Sequence, residues 1–248
     1  MGVGISLEPL KEAIEIRRSR RKYDPTPIDP EIVDKLRELI SRYSEEANAR
    51  IELILDNGDA FGGLRKSYGL LTGVRHYYGL IADKRDVTSV ERLGYYGELL
   101  HLDAVTMGLS GCWVGGSFDR KLCPFVFSEH EFLAVVVVIG NAVEEISGRE
   151  KLIYKLVHRK TKSIEEMYVS DTDVPDWFMS AMRAVQKAPS AVNRQPIKFS
   201  FKDGKVTAWP EGRPEVLLDL DFGIAKCHFA IGAGKGTWNW GNHAEFVY

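Results

Sequence analysis

The chain has 248 residues, which at ~150 per domain falls between one domain and two. Hydrophobic residues make up 44% and charged residues 27%, enough to build a sizeable core and unlike an intrinsically disordered chain. A net charge of −2 lacks the basic excess of a general nucleic-acid or polybasic membrane-surface protein.

The longest apolar run, Phe132 to Ile139, is too short to span a bilayer. The opening MGVGISLEPLKEAIEI has no basic stretch followed by an apolar one, so no secretory leader is expected. Cys112, Cys123 and Cys227 form no C-x-x-C pair and are odd in number, which suits buried, unpaired thiols in the cytoplasm.

Leu7, Leu10 and Ile14 predict a first helix over 7–18, ending in RRSRR (Arg17 to Arg21) before Pro25 and Pro27. Asp29-Pro30-Glu31 reads as an N-cap, a first-turn proline and an acid matched to the helix dipole. An amphipathic helix follows from Ile32, and Ile51, Leu53 and Leu55 alternate as a half-buried strand closed by Asn57-Gly58. A second strand is expected over 75–82. The segment 90–109 is apolar nearly all round, as a central buried helix is. FLAVVVVIG (Phe132 to Gly140) predicts a strand buried on both faces, and 150–157 a further helix.

The second half repeats this order. An offset of 146 lays Ile32–Gly58 over Phe178–Gly204 without a gap, with Arg37, Ser44 and Ile51 on Arg183, Ser190 and Ile197. An offset of 126 lays Gly97, Ala104 and Gly108 on Gly223, Ala230 and Gly234. The expected organisation is one domain over 1–248, with a first repeat near 1–165 and a shortened second near 166–248.

Four stretches carry candidate chemistry. Arg17, Arg18, Ser19 and Arg21 suit phosphate oxygens, because guanidinium forks bind them bidentately; on a continuing helical turn Arg17 and Arg21 would share a face. Solvated complements to the helix dipole are the plainer reading of the same charges. Trp113, Val114, Gly115 and Gly116 follow the central helix, where paired glycines let backbone approach a flat ligand or simply end the helix. His158 to Lys162 is a short basic run that suits a phosphate or a solvated turn alike. Pro189, Ser190, Ala191, Asn193 and Gln195, within APSAVNRQP, form a polar turn between a helix and a strand. Gly232 to Thr237 lacks the glycine spacing of a phosphate loop. His101 and Asp103 lie in the buried helix without a triad partner and read as satisfied core groups.

Together, RxSxR, the buried helix running into GCWVGG, the buried strand ending at Gly140, and APSAVNRQP resemble the FMN-dependent nitroreductase family over nearly the whole chain. In the family APSxxNxQP follows RxSxR closely, in one chain of a homodimer. Here it comes in the second repeat, as in the branch where one chain imitates that dimer.

The resemblance implies an α+β fold: a three-layer α/β/α arrangement with a mixed, mostly antiparallel sheet around a central helix pair. It also implies bound FMN, with NAD(P)H as electron donor and a nitroaromatic, quinone or similar small molecule as acceptor. Arg17, Arg18 and Ser19 would bind the FMN phosphate, with Lys160 and Lys162 as a late basic pair. Arg21 would stabilise charge on the N1/O2 side of the ring. Trp113 to Gly116 would face O4 and N5, and Pro189, Ser190, Ala191, Asn193 and Gln195 would close the site from the second repeat.

The family's ring contacts have no clear match between Phe61 and Tyr78. That gap keeps open a flavin-binding or sensing protein without turnover, or a relative without cofactor. YSEEANARI stands where the first repeat would carry APSxxN, and YVSDTDVPD where the second would carry RxSxR, so one FMN per chain is expected. No metal, membrane or nucleic-acid partner is expected, and dimerisation is not needed to complete the site.

Overall fold

A computed structural model describes residues 7–62, 71–143 and 160–248. The expected helix at 150–157, the basic residues His158 and Arg159, and residues 63–70 of the stretch searched for ring contacts lie outside these residues.

The chain begins with α1 (Glu8–Ile16) and α2 (Pro30–Ala47). The Asp29 side chain caps α2 by accepting from the Glu31 N–H at 2.8 Å, and left-handed Asn48 closes it. β1 (Arg50–Ile54) and β2 (His76–Asp83) lead to the central helix α3 (Ser89–Thr106), then β3 (Ser110–Val114) and β4 (Glu131–Gly140). The second half runs β5 (Tyr168–Ser170), α4 (Asp176–Gln186), β6 (Ile197–Lys202), β7 (Lys205–Pro210), α5 (Val216–Ala233), β8 (Thr237–Trp238) and β9 (Glu245–Val247). Gly234 ends α5 in the left-handed conformation at φ 82°, so the glycine-rich 232–237 stretch is a helix terminus.

The strands divide into two sheets. One is wholly antiparallel in the order β1-β2-β4-β3; the other has the order β5-β6-β7-β9-β8, with β5 on β6 as its parallel pairing. Leaving out α1 and β5, each half runs helix, strand, strand, helix, strand, strand, and its sheet is ordered first, second, fourth, third. β4 is buried from Leu133 to Gly140, as its valine run requires: one face meets the helices, the other an aromatic layer of Phe61, Phe118 and Phe125.

The two 18-residue helices α3 and α5 form the centre of the molecule. They cross where glycine permits close approach. A Cβ on Gly94 would lie 2.3 Å from the Leu220 carbonyl oxygen, and one on Gly223 would lie 1.9 Å from that of Glu91. Gly94 and Leu220 correspond under the 126-residue offset, so a position meets its own counterpart across the helix pair, as contacts on a two-fold axis do. Among the described residues no helix is long and apolar enough to cross a membrane.

Candidate functional site

RRSRR does not continue the first helix. α1 stops at Ile16, and Arg17 takes φ −54° and ψ 131°. Ser19 then bridges to Gly111 in parallel fashion and the Arg20 N–H donates to the Gly111 carbonyl at 3.1 Å. The expected helical face of Arg17 and Arg21 is thus replaced by an extended segment laid beside β3. Alternation in such a segment puts Arg17, Ser19 and Arg21 on one side and Arg18 and Arg20 on the other. The guanidinium of Arg18 is taken by the Glu15 and Arg17 carbonyls at 2.9 and 2.8 Å, and that of Arg20 by the Val143 carbonyl. Arg21 reaches the Ser19 carbonyl at 3.4 Å.

Arg17 is different. Its side chain is only 10% exposed, and among the described residues Nε and Nη1 have no hydrogen-bond partner. Nη2 makes one long bond, 3.4 Å, to the carbonyl of Lys187, 170 positions away at the end of α4. The first half's arginine therefore stands directly beside the start of the second half's APSAVNRQP turn. Lys187 reinforces the junction through an ion pair with Glu15.

That turn is strained. Val192, Asn193 and Gln195 have φ of 48°, 51° and 47°, in a region where β-branched valine is costly. Local bonds hold it: the Gln195 N–H donates to Ser190 Oγ at 3.0 Å, and the Ala191 N–H donates to both Asp221 oxygens at 3.1 and 3.2 Å. Burial, working against the Ala191 bond and the nearby Arg194 charge, pushes the Asp221 carboxyl up to about 7. Asp221 comes from the first turns of α5, and Arg194 is tied to Glu215 just before that helix at 2.8 Å. Pro189 and Ser190 line a narrow cleft with Asp221 and Ala225.

Gln195 is buried, and its amide accepts from the Lys162 N–H at 2.8 Å and donates to the Gln186 carbonyl at 2.9 Å. Lys162 Nζ in turn donates to the Gln195 carbonyl at 2.9 Å. These two residues tie the 160s segment to α4, while Lys160 is exposed.

The GCWVGG stretch is a strand followed by a turn. Trp113 and Val114 end β3, and Gly115 and Gly116 follow it. Trp113 Nε1 donates to Glu98 Oε2 at 2.7 Å, and Gly115 faces Leu217 of α5, which a Cβ would meet at 2.8 Å.

Glu98 stands at the centre of this region. It is fully buried, with Oε1 2.9 Å from His228 Nε2 and Oε2 3.2 Å from His101 Nδ1. Its Oε1 lies 3.9 Å from Arg17 Nε. Burial alone would push the carboxyl up, but the histidines' charge and hydrogen bonds outweigh it and hold it below the ordinary range. His101, expected to be a satisfied core group, has Nε2 without a partner among the described residues. Asp103 does have one, accepting from the Tyr43 hydroxyl at 2.6 Å.

The structure thus brings together Arg17, Trp113 and the 188–195 turn, from both halves of the chain. Motif reading missed Glu98, His228 and Asp221. The signal was there: charged or titratable side chains inside two helices that are apolar nearly all round need internal partners.

Comparison with known proteins agrees with this architecture. No curated protein sequence matches significantly. The crystal structure of a "putative nitroreductase" from Thermotoga maritima superposes with a TM-score of 0.64 at 17% identity, covering 99% of this chain and 95% of that one. An "FMN-dependent Nitroreductase" from Clostridium difficile superposes with a TM-score of 0.43 at 19% identity, covering 60% of this chain and 98% of that one. The family model described as "Putative TM nitroreductase" matches residues 9–233. With that match running almost from end to end, the chain belongs to this nitroreductase family.

Proposed function

We propose that this protein is an FMN-dependent oxidoreductase that passes electrons from NAD(P)H to a nitroaromatic, quinone or similar small acceptor, with one FMN per chain. The observation that carries this reading is Arg17: two buried guanidinium donors without hydrogen-bond partners among the described residues, beside a strained polar turn from the other half of a nitroreductase-family chain. Unpaired buried donors cost about 1–3 kcal/mol, so a site that keeps them suits an anionic ligand.

Arg17 and Ser19 would take phosphate oxygens, with Arg18 and Lys160 adding positive charge nearby. Arg21 would offset negative charge developing on the ring. Trp113 to Gly116 and Pro189, Ser190, Ala191 and Asn193 would border the ring from the two halves. Lys162 and Gln195 would act one step back, holding the turn in shape. When bound, FMN supplies the electron transfer itself, so no protein nucleophile is needed.

A duplicated origin would account for a single site. The 126-residue offset lays Trp113 and Gly115 on Asn239 and Gly241. At that second place Trp240 packs edge-on against Tyr95 at 5.5 Å, while Lys226 Nζ holds the Asn239 and Gly241 carbonyls at 3.1 and 3.3 Å. Arg92 Nε donates to Ala47, in the counterpart of the APSAVNRQP turn, at 2.6 Å. The pseudo-symmetric position is filled by the protein's own side chains.

The test is a flavin titration of the purified chain followed by NAD(P)H oxidation with a quinone or nitroaromatic. One equivalent of FMN and acceptor-dependent oxidation are expected. Binding of two equivalents, or of none, overturns the stoichiometry; binding without turnover overturns the enzymatic reading.

A further inference from the structure

A buried carboxylate 3.9 Å from an arginine would ordinarily capture it, yet Glu98 and Arg17 make no hydrogen bond. Both Glu98 oxygens are already engaged, Oε2 by Trp113 at 2.7 Å and Oε1 by His228 at 2.9 Å. The decisive geometry is at His228, whose ring is fully buried in α5. Its Nδ1 faces the Ala184 carbonyl at 3.0 Å, and its Nε2 faces the Glu98 carboxylate. Both partners are acceptors, and a histidine can donate from both nitrogens only as the imidazolium. His101 makes the contrast, since its Nδ1 meets Glu98 while its Nε2 meets no acceptor among the described residues, so its contacts do not call for a proton on both nitrogens.

We propose that His228 is held in the core as an imidazolium that neutralises Glu98, so that Arg17 keeps its donors for an anionic ligand. His228 is then a positioning residue of the cofactor site: it touches Glu98 and acts on the ligand only through the arginine. The idea rests on the reading that Arg17 faces the FMN phosphate. The charge count distinguishes it from a packing role. With both groups ionised, Arg17, Glu98 and His228 sum to one positive charge; removing the histidine's charge alone leaves Glu98 to compete for Arg17, while removing both charges restores the balance.

The test combines two measurements on the full chain. Nitrogen-15 shifts of the His228 ring at neutral pH, assigned by their loss in His228→Gln, are expected to show both nitrogens protonated. FMN affinity is then titrated by fluorescence in wild type, His228→Gln, Glu98→Gln and the double variant, with thermal melts to confirm folding. Glutamine at 228 keeps a donor toward Glu98 but no charge, so that variant should bind FMN roughly tenfold more weakly. The double variant should return to within about threefold of wild type. A neutral His228 ring overturns the proposal, as does a double variant that binds no better than His228→Gln. Failure of the wild type to bind FMN defeats the functional reading and the ligand half of this inference; the ring's charge is still decided by the nitrogen shifts.

Discussion

Two polar clusters are built into the α3–α5 interface, and they end differently. Around Glu98 the helices hold His228, His101 and Trp113, and leave two donors of Arg17 unbonded among the described residues. Around Glu91 everything is closed: Lys226 is fully buried, pairs with Glu91, bonds two backbone carbonyls and lies 4.1 Å from the centre of the Phe222 ring. Glu91 also accepts from the Gly241 N–H at 2.8 Å. On the proposed function, the same helix pair spends one cluster on a site and the other on stability. The incomplete set of bonds is the reason to propose the Glu98 side as the functional one, because a fold gains nothing from leaving buried donors empty.

That contrast predicts opposite mutational signatures. The largest effect should come from Lys226→Met, which leaves Glu91 buried without its cation and should cost about 3–5 kcal/mol of unfolding free energy. FMN affinity per folded molecule should be unchanged. Urea unfolding paired with flavin titration checks both, and weak FMN binding by the folded variant would mean that the clusters are not separable.

Arg17→Ala reverses the pattern. Losing charge-assisted bonds to an anion should weaken FMN binding by about 2–3 kcal/mol, while stability should hold or rise because two buried donors without hydrogen bonds among the described residues are removed. A lowered melting temperature with unchanged FMN affinity would place Arg17 on the structural side of the comparison.

Asp221→Asn tests the APSAVNRQP turn, whose Ala191 N–H donates to the Asp221 carboxyl. The folded-state value of about 7 lies above the ordinary carboxyl value of 3.8, so between those pH values the folded chain binds the extra proton. Wild-type stability from this group is therefore present at low pH and lost as pH rises toward 7. Asparagine cannot ionise, so its advantage over wild type should grow from about pH 4 to pH 7 and then level off. After allowing for a weaker acceptor at Ala191, the plateau should be on the order of 2 kcal/mol. Urea unfolding across that range gives the answer; a difference independent of pH would mean that Asp221 does not titrate there.

Much of this was legible in the sequence because periodicity records burial. The valine run of β4, the amphipathic α2 and the all-round apolar α3 fall where the pattern placed them, within a few residues. The helix-to-strand order of the second half was legible too, through Phe178 to Phe201. β5, β8 and β9 were not, since strands of two or three residues carry no readable alternation. At the candidate site, motifs singled out Arg17, Trp113 and the 188–195 turn but not their conformation. RRSRR becomes extended because Gly111 of β3 offers it backbone partners, and no local pattern encodes a partner 92 residues away. Glu98 and His228 escaped because each is a single residue whose meaning depends on the other, across 130 positions.

The smallest effect concerns the filled corner itself. Trp240 meets Tyr95 at 5.5 Å and Tyr96 at 6.2 Å, and Trp240→Phe keeps a ring there while trimming its area and indole contacts. Such pairs contribute about 0.5–1.5 kcal/mol, so a loss near 1 kcal/mol is expected. The more telling readout is stoichiometry. If Trp240 alone blocked a second flavin, shrinking it should raise binding above one equivalent. Binding should stay at one, because the second repeat carries Tyr168 to Asp176 where RxSxR would stand, with three acids and no arginine to meet a phosphate. A variant that took up two equivalents would show that the closed cluster is only a plug over an intact site, and the distinction between the two clusters would fail.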